Sequence, residues 1–141
     1  MKSFATSTAF ALLASTAMAD TITLYTSQPN ADAQRTVDAF MAANPGTEVD
    51  WVRDGTTKLM ARLRAEIEAG NPQPDVLLIA DTVTLEGMAQ EGLLTAYQSQ
   101  EAGSYDAALY SAEGYYHSTK LITTGIVYNT GVEAAPTSWK D

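Results

Sequence analysis

The sequence predicts an α/β fold in which a mostly parallel central sheet is flanked by helices. From Thr21 to Gly92 a segment with the two-residue repeat of a strand is followed three times by one with the 3.6-residue repeat of a helix. Strands and helices in strict alternation are what right-handed crossovers between parallel strands produce. A second observation agrees: DVLLIA at 75–80 is an unbroken apolar run too short for a helix, the pattern of a strand covered on both faces.

The first strand, Thr21 to Thr26 (TITLYT), sets Ile22 and Leu24 between threonines and runs into the turn-forming Ser27-Gln28-Pro29-Asn30. Ala33, Val37, Phe40 and Met41 then recur at helical spacing until Asn44-Pro45-Gly46 stops them. Val49, Trp51 and Val52 mark a second strand, closed by Arg53-Asp54-Gly55. The second helix, from about Thr57 to Ala69, gathers Leu59, Met60, Leu63 and Ile67 on one face and ends at Gly70-Asn71-Pro72. Lys58/Arg62, Arg62/Glu66 and Arg64/Glu68 stand at i, i+4 on its other face, the pattern of a solvated surface supported by local pairs. After the third strand, Asp81 to Gly92 resumes helical spacing through Leu85, Met88 and Ala89. Residues 98–116 lose periodicity but hold Tyr105, Tyr110, Tyr115 and Tyr116, which fit a loop packed by its aromatic rings, with an aromatic pocket as the alternative. Leu121 to Asn129 (LITTGIVYN) is expected to form one or two further strands, with Tyr128 in their core.

Residues 1–19, MKSFATSTAFALLASTAMA, read as a secretory signal peptide. Lys2 supplies the positive start, Phe10 to Ala14 the apolar stretch, and Ala17-Met18-Ala19 the small-x-small pattern before Asp20. Ser and Thr dilute the run too much for a good anchoring helix. Cleavage after Ala19 is therefore expected. The chain has no Cys, so neither a disulfide nor a lipidated cysteine is available to it, and packing alone must stabilise the fold. Its formal charge of −9 includes Lys2, and loss of the leader makes it more acidic still. That balance argues against nucleic acid and against an anionic membrane surface as partners, because both need basic patches.

Ligands of parallel α/β sheets bind at the carboxyl ends of the strands. This rule selects three segments: Ser27-Gln28-Pro29-Asn30, Asp54-Gly55-Thr56-Thr57 and Ala80-Asp81-Thr82. Thr56 and Thr57 stand where a helix begins, so free N–H groups, the helix dipole and two hydroxyls favour an anion there; in the alternative, one Thr merely caps the helix. Gly55 lets a ligand approach the backbone. Ser27 and Gln28 add a hydroxyl, an amide and backbone donors. Asp81 suits a hard cation or a ligand ammonium, and equally suits a helix cap.

Four segments together resemble a known family: TITLYTSQ behind the leader, DGTTKLMARLRAEIEAGNPQPDVLLIAD, TTGIVYNTGV and PTSWKD. They are similar to the type II periplasmic substrate-binding proteins of ABC importers, in the ferric-iron-type subgroup, and also resemble its phosphonate-binding members. The resemblance covers nearly all of the chain after the leader. It implies two lobes that close on a small ligand, a monomer free in the periplasm, and docking of the closed form on an inner-membrane ABC permease. It further implies that residues 20–124 are lobe one, that 125–141 are the crossover strand and the start of a truncated lobe two, and that Thr124 at the crossover joins the site.

The family leaves two cargoes open. If the ligand is ferric iron held with an anion, Asp81 is the metal ligand this chain supplies. Related iron binders place a His or an acid just past the first strand, where this sequence has Gln28-Pro29-Asn30, and their ligating tyrosines lie in the second lobe. A Ser/Thr-rich site with backbone donors suits a phosphate ester, phosphonate or carboxylate equally well, with Asp81 meeting an amine of the same ligand. No resident cofactor is expected. An enzyme is not expected either: the chain has no Cys, one His and no G-x-S-x-G motif, and Asp81 with Glu86 is an ordinary pairing on a helix end. The one His, His117, fits a surface position. A sensor that binds ligand without transport is the remaining alternative.

Overall fold

The computed structural model describes residues 20–80, 82–123, 125–132 and 134–140, which fall into two units, 20–80 and 82–140. The expected leader at 1–19 and the candidate residues Asp81 and Thr124 lie outside the described residues.

In the first unit β1 (Asp20–Thr26), α1 (Asn30–Ala43), β2 (Thr47–Arg53), α2 (Thr56–Glu68) and β3 (Val76–Leu78) follow one another. The strands are parallel and lie in the order β2-β1-β3. Register runs from Asp20 opposite Thr47 to Thr26 opposite Arg53, and from Leu24 opposite Val76 to Thr26 opposite Leu78. The chain leaves β1 for one neighbour and crosses back over it to reach the other, so two right-handed crossovers place α1 and α2 on opposite faces. Burial agrees: Leu24 and Tyr25, successive residues that face opposite sides of a strand, are 6% and 0% exposed. Ala33 and Val37 of α1, Leu59 and Leu63 of α2, and the fully buried Thr26 complete this core.

The strand covered on both faces is thus β1. The apolar run 75–80 contributes only a three-residue edge strand, and its Val76 stays 47% exposed. The reason is topological, since β1 takes the centre and leaves β3 one hydrogen-bonded neighbour. Asp75 lengthens that short ladder: its N–H donates to Thr23 O (2.9 Å) and its Oδ2 accepts from Thr23 N (2.8 Å). Gly70, at φ +72°, ends α2 in the left-handed conformation that glycine adopts without strain.

The second unit opens with α3 (Thr82–Gln90), which buries Met88. Short 3-10 turns follow at Ala102–Ser104 and Ala107–Leu109. The aromatic segment folds on itself as a packed loop. Ser118 N donates to Leu109 O (2.8 Å), Ser111 N to Tyr116 O (3.0 Å) and Tyr97 N to Gly114 O (2.9 Å). Tyr110 and His117 form an isolated antiparallel bridge with stacked rings 6.0 Å apart, and the Tyr116 hydroxyl donates to Glu86 Oε2 at 2.8 Å. That bond, reinforced by burial, raises the Tyr116 phenol pKa above its ordinary value. His117 is accordingly half-buried rather than a surface residue, with its Nε2 enclosed and without a hydrogen-bond partner among the described residues.

Among the described residues of 121–129, none forms the strands expected there. Leu121, Ile122 and Val127 are 74%, 69% and 98% exposed, and Tyr128 is 48% exposed rather than core. A β-prone sequence becomes a strand only where a neighbour supplies a ladder and a packed face, and no described segment pairs with this one. No helix among the described residues is long and apolar enough to cross a membrane.

Gly114, at φ +83°, has no room for a side chain: a Cβ there would lie 2.7 Å from Tyr97 O. Gly114→Ala should therefore destabilise the second unit by about 1–3 kcal/mol, the usual cost of such strain, measured by denaturant titration. Gly103→Ala, where a Cβ meets nothing within 4 Å, is the control expected to shift stability far less.

Candidate ligand-binding site

The carboxyl ends of the three strands are tied together by backbone and side-chain bonds. Thr26 Oγ1 donates to Leu78 O (3.0 Å) and accepts from Gln28 N (3.2 Å). Ser27 N donates to Leu78 O (3.1 Å), while Ser27 Oγ accepts from Ala80 N (3.1 Å), which leaves the serine O–H as a donor. On the other side Asp54 N donates to Thr26 O (3.3 Å), and Arg53 Nε donates to Gln28 O at 3.1 Å. Two buried or half-buried hydroxyls thus fix the path of the chain from β1 into α1.

At the start of α2 the capping residue is Gly55, extended at φ −63°, ψ 147°, with no side-chain cap. Gly55 O receives Lys58 N and Leu59 N, both at 3.0 Å. Gly55 N donates to Asp54 Oδ1 (2.7 Å), and Asp54 in turn pairs with Lys58 at 3.6 Å. Thr56 and Thr57 are therefore the first two helical residues, and neither caps the helix. Among the described residues, nothing accepts from their N–H groups or bonds their hydroxyls. The space over Gly55 is open, since a Cβ there would meet no atom within 4 Å. Ser27, Gln28, Thr56 and Thr57 therefore line one edge of the sheet. Asp81 and Thr124 lie outside the described residues, and no group of three His, Asp or Glu that could hold a metal occurs among the described ones.

One residue of this edge escaped the sequence reading. Arg53 read only as the close of β2, yet the parallel register sets it opposite Thr26, beside the first loop. The available signal was its place as the last residue of a strand whose carboxyl end was already selected.

Behind the edge, a clasp joins β1 to α2. The buried Tyr25 hydroxyl donates to Glu66 Oε1 at 2.6 Å, Arg62 Nε donates to the same oxygen at 2.7 Å, and Gln73 N reaches Glu66 Oε2 at 3.2 Å. The Arg62 guanidinium also lies 4.9 Å from the centre of the Tyr25 ring, within cation–π range. The Arg62/Glu66 pair is thus more than a solvated surface; the Glu66 side chain is only 16% exposed. Burial pushes the Glu66 carboxyl upward, but the hydrogen bonds from Tyr25, Arg62 and Gln73 outweigh it and hold the pKa below its ordinary value. Desolvation first, then the bond to Glu66, raises the Tyr25 phenol.

The first unit is thus a parallel α/β unit with open donors at the carboxyl edge of its sheet. Residues 24–141 match the family model described as bacterial extracellular solute-binding protein, and the chain belongs to that family. It is 30% identical to the probable ABC transporter periplasmic-binding protein y4fP of Sinorhizobium fredii (strain NBRC 101917 / NGR234), over 98% of this chain and 38% of the relative. Among solved structures, iron-bound HitA from Pseudomonas aeruginosa is similar with a TM-score of 0.58 and 25% identity, over 67% of this chain and 30% of that one. The chain therefore spans well under half the length of either.

A carboxylate whose pKa is lowered on folding contributes stability that is complete above its ordinary pKa and is lost as pH falls through the folded value. Stability should decline as pH drops below about 4.5, the ordinary value for Glu66. Glu66→Gln should lower stability at neutral pH and flatten that acid limb, as read by denaturant titration at a series of pH values. An acid limb identical to that of the parent would remove Glu66 from this role.

Proposed function

We propose that the protein is the extracytoplasmic solute-binding component of an ABC importer, which captures a small solute at the carboxyl edge of β1 and β2 and delivers it to an inner-membrane permease. The observation that carries this reading is the uncapped start of α2, where Thr56 and Thr57 present N–H groups and hydroxyls without partners among the described residues, at the same edge as Ser27 and Gln28. In this reading the leader directs the chain to the periplasm and is cleaved after Ala19. Residues 20–124 act as lobe one, and 125–141 cross to a second lobe that closes on the ligand.

Two cargoes fit. An organic phosphonate or phosphate-like anion uses the donors of Ser27, Thr56 and Thr57 directly, with Asp81 meeting an amine. Ferric iron held with an anion uses Asp81 as metal ligand and the same donors for the anion; the iron-bound state of the similar solved structure favours this second cargo. Thr124 is assigned to the crossover side of the site, and no resident cofactor is needed in either case. The role is transport rather than sensing, in line with the relative's printed role as a transporter's binding protein.

Calorimetry and thermal shift with ferric citrate and with 2-aminoethylphosphonate test the reading. A ligand at a hundred times its Kd stabilises the folded form by about 2.7 kcal/mol, so one of the two should raise the melting temperature by several degrees. Stabilisation by neither counts against both cargoes. Thr57→Ala should weaken the productive ligand roughly tenfold, the effect of one lost hydrogen bond to a charged group, while leaving the unliganded melting temperature within a degree or so of the parent, as expected of a surface position. Unchanged affinity removes Thr57 from the site.

A further inference from the structure

We propose that Arg53 is a specificity-determining residue of this site and selects a ligand carrying an oxyanion group, a carboxylate or a phosphonate. The inference rests on the solute-binding reading above and names the chemical class of ligand. Three observations carry it. The Arg53 side chain is tethered: its Nε–H donates to Gln28 O at 3.1 Å, across the gap between the ends of β1 and β2. A guanidinium carries five N–H donors in a planar fork, so this bond orients the group and leaves four donors without a partner among the described residues.

Arg53 is also uncompensated. Two cations of α2 have acidic partners, Lys58 with Asp54 at 3.6 Å and Arg62 with Glu66 at 2.7 Å. Arg53 has no carboxylate partner among the described residues. In a chain of net charge −9, it places a positive charge at the edge that presents open N–H groups. Position is the third observation. The register sets Arg53 opposite Thr26 at the carboxyl ends of the strands, the end at which ligands of parallel sheets bind.

A planar fork already held in place loses little freedom when it binds, and it matches two oxygens of a carboxylate or phosphonate at once. A lysine at the same position keeps the charge but loses both the tether through Nε and the paired donors. The ligand class therefore follows from the guanidinium and not from charge alone.

Isothermal titration of the parent protein, Arg53→Gln and Arg53→Lys tests this, with 2-aminoethylphosphonate, ferric citrate and a set of uncharged sugars and polyols as probes. Circular dichroism and thermal melting of the unliganded variants monitor folding; Arg53 is exposed, so melting should match the parent. The expected result is oxyanion binding by the parent, about 10- to 100-fold weaker in Arg53→Gln, the range for losing hydrogen bonds to a charged group. Arg53→Lys should be intermediate, and parent affinity should fall as salt rises. Equal affinity in parent and Arg53→Gln overturns the role of Arg53 and leaves the solute-binding reading standing. Parent protein that takes an uncharged probe and no oxyanion overturns the ligand class, again without touching that reading. Parent protein that binds no probe overturns both.

Discussion

A tyrosine side chain buried without exposed surface at the centre of a sheet cannot leave its hydroxyl unpaired, because a buried polar group without a partner costs about as much as a whole hydrogen bond contributes. Tyr25 meets this constraint through Glu66, and the rest of the first unit is arranged around that choice. Glu66 is ten residues into α2, so its bond to Tyr25 fixes where the helix lies along β1. Arg62 balances the carboxylate and covers the ring, and the Gln73 amide draws the following loop toward the same oxygens. With the body of α2 held in this way, its start comes to lie at the carboxyl edge of the strands. The donors of Thr56 and Thr57 are placed by a contact made three helical turns away.

The same economy of parts appears at the edge itself. Thr26 is buried in full, yet its hydroxyl serves β3 through Leu78 O and the first loop through Gln28 N. Ser27 repeats the pattern one residue later with Ala80 N. Short side chains thus reinforce the main-chain bonds where the strands end, which sets the directions in which the loops leave the sheet. A site assembled from such loops is preorganised, and the cost of ordering them on binding is correspondingly small.

The elements of the first unit were legible in the sequence because their signals are local. Ala33, Val37, Leu59 and Leu63 recur at helical spacing and are buried at that spacing. Gly70 ends α2 where a stop was expected. What depended on pairing partners was less legible. DVLLIA looked like the doubly covered strand, yet the covered strand is TITLYT, whose threonines are tolerated because Thr26 turns its hydroxyl to Leu78 O. Hydrophobicity alone could not rank the two, because centrality follows from the order β2-β1-β3. The segment 121–129 failed for a related reason, since propensity for extended structure supplies no ladder. Within the candidate site, Ser27, Gln28, Thr56 and Thr57 followed from the rule that ligands meet strand ends. Arg53 was hidden because its relevance comes from a parallel register that pairs residues 27 apart in the chain.

The central position of β1 also has a temporal side. Its residues come first in the sheet, but one neighbour starts at Thr47 and the other only at Val76, and the Thr26–Leu78 bond joins residues 52 apart. Closing loops of that length must precede any return from pairing, and sheets dominated by such distant contacts fold slowly. The strand that anchors everything else is therefore the one that cannot settle until about eighty residues of chain are available. The hydroxyl of Tyr25 waits in the same way on a partner 41 residues further along, so its burial is compensated only once α2 has docked on the sheet.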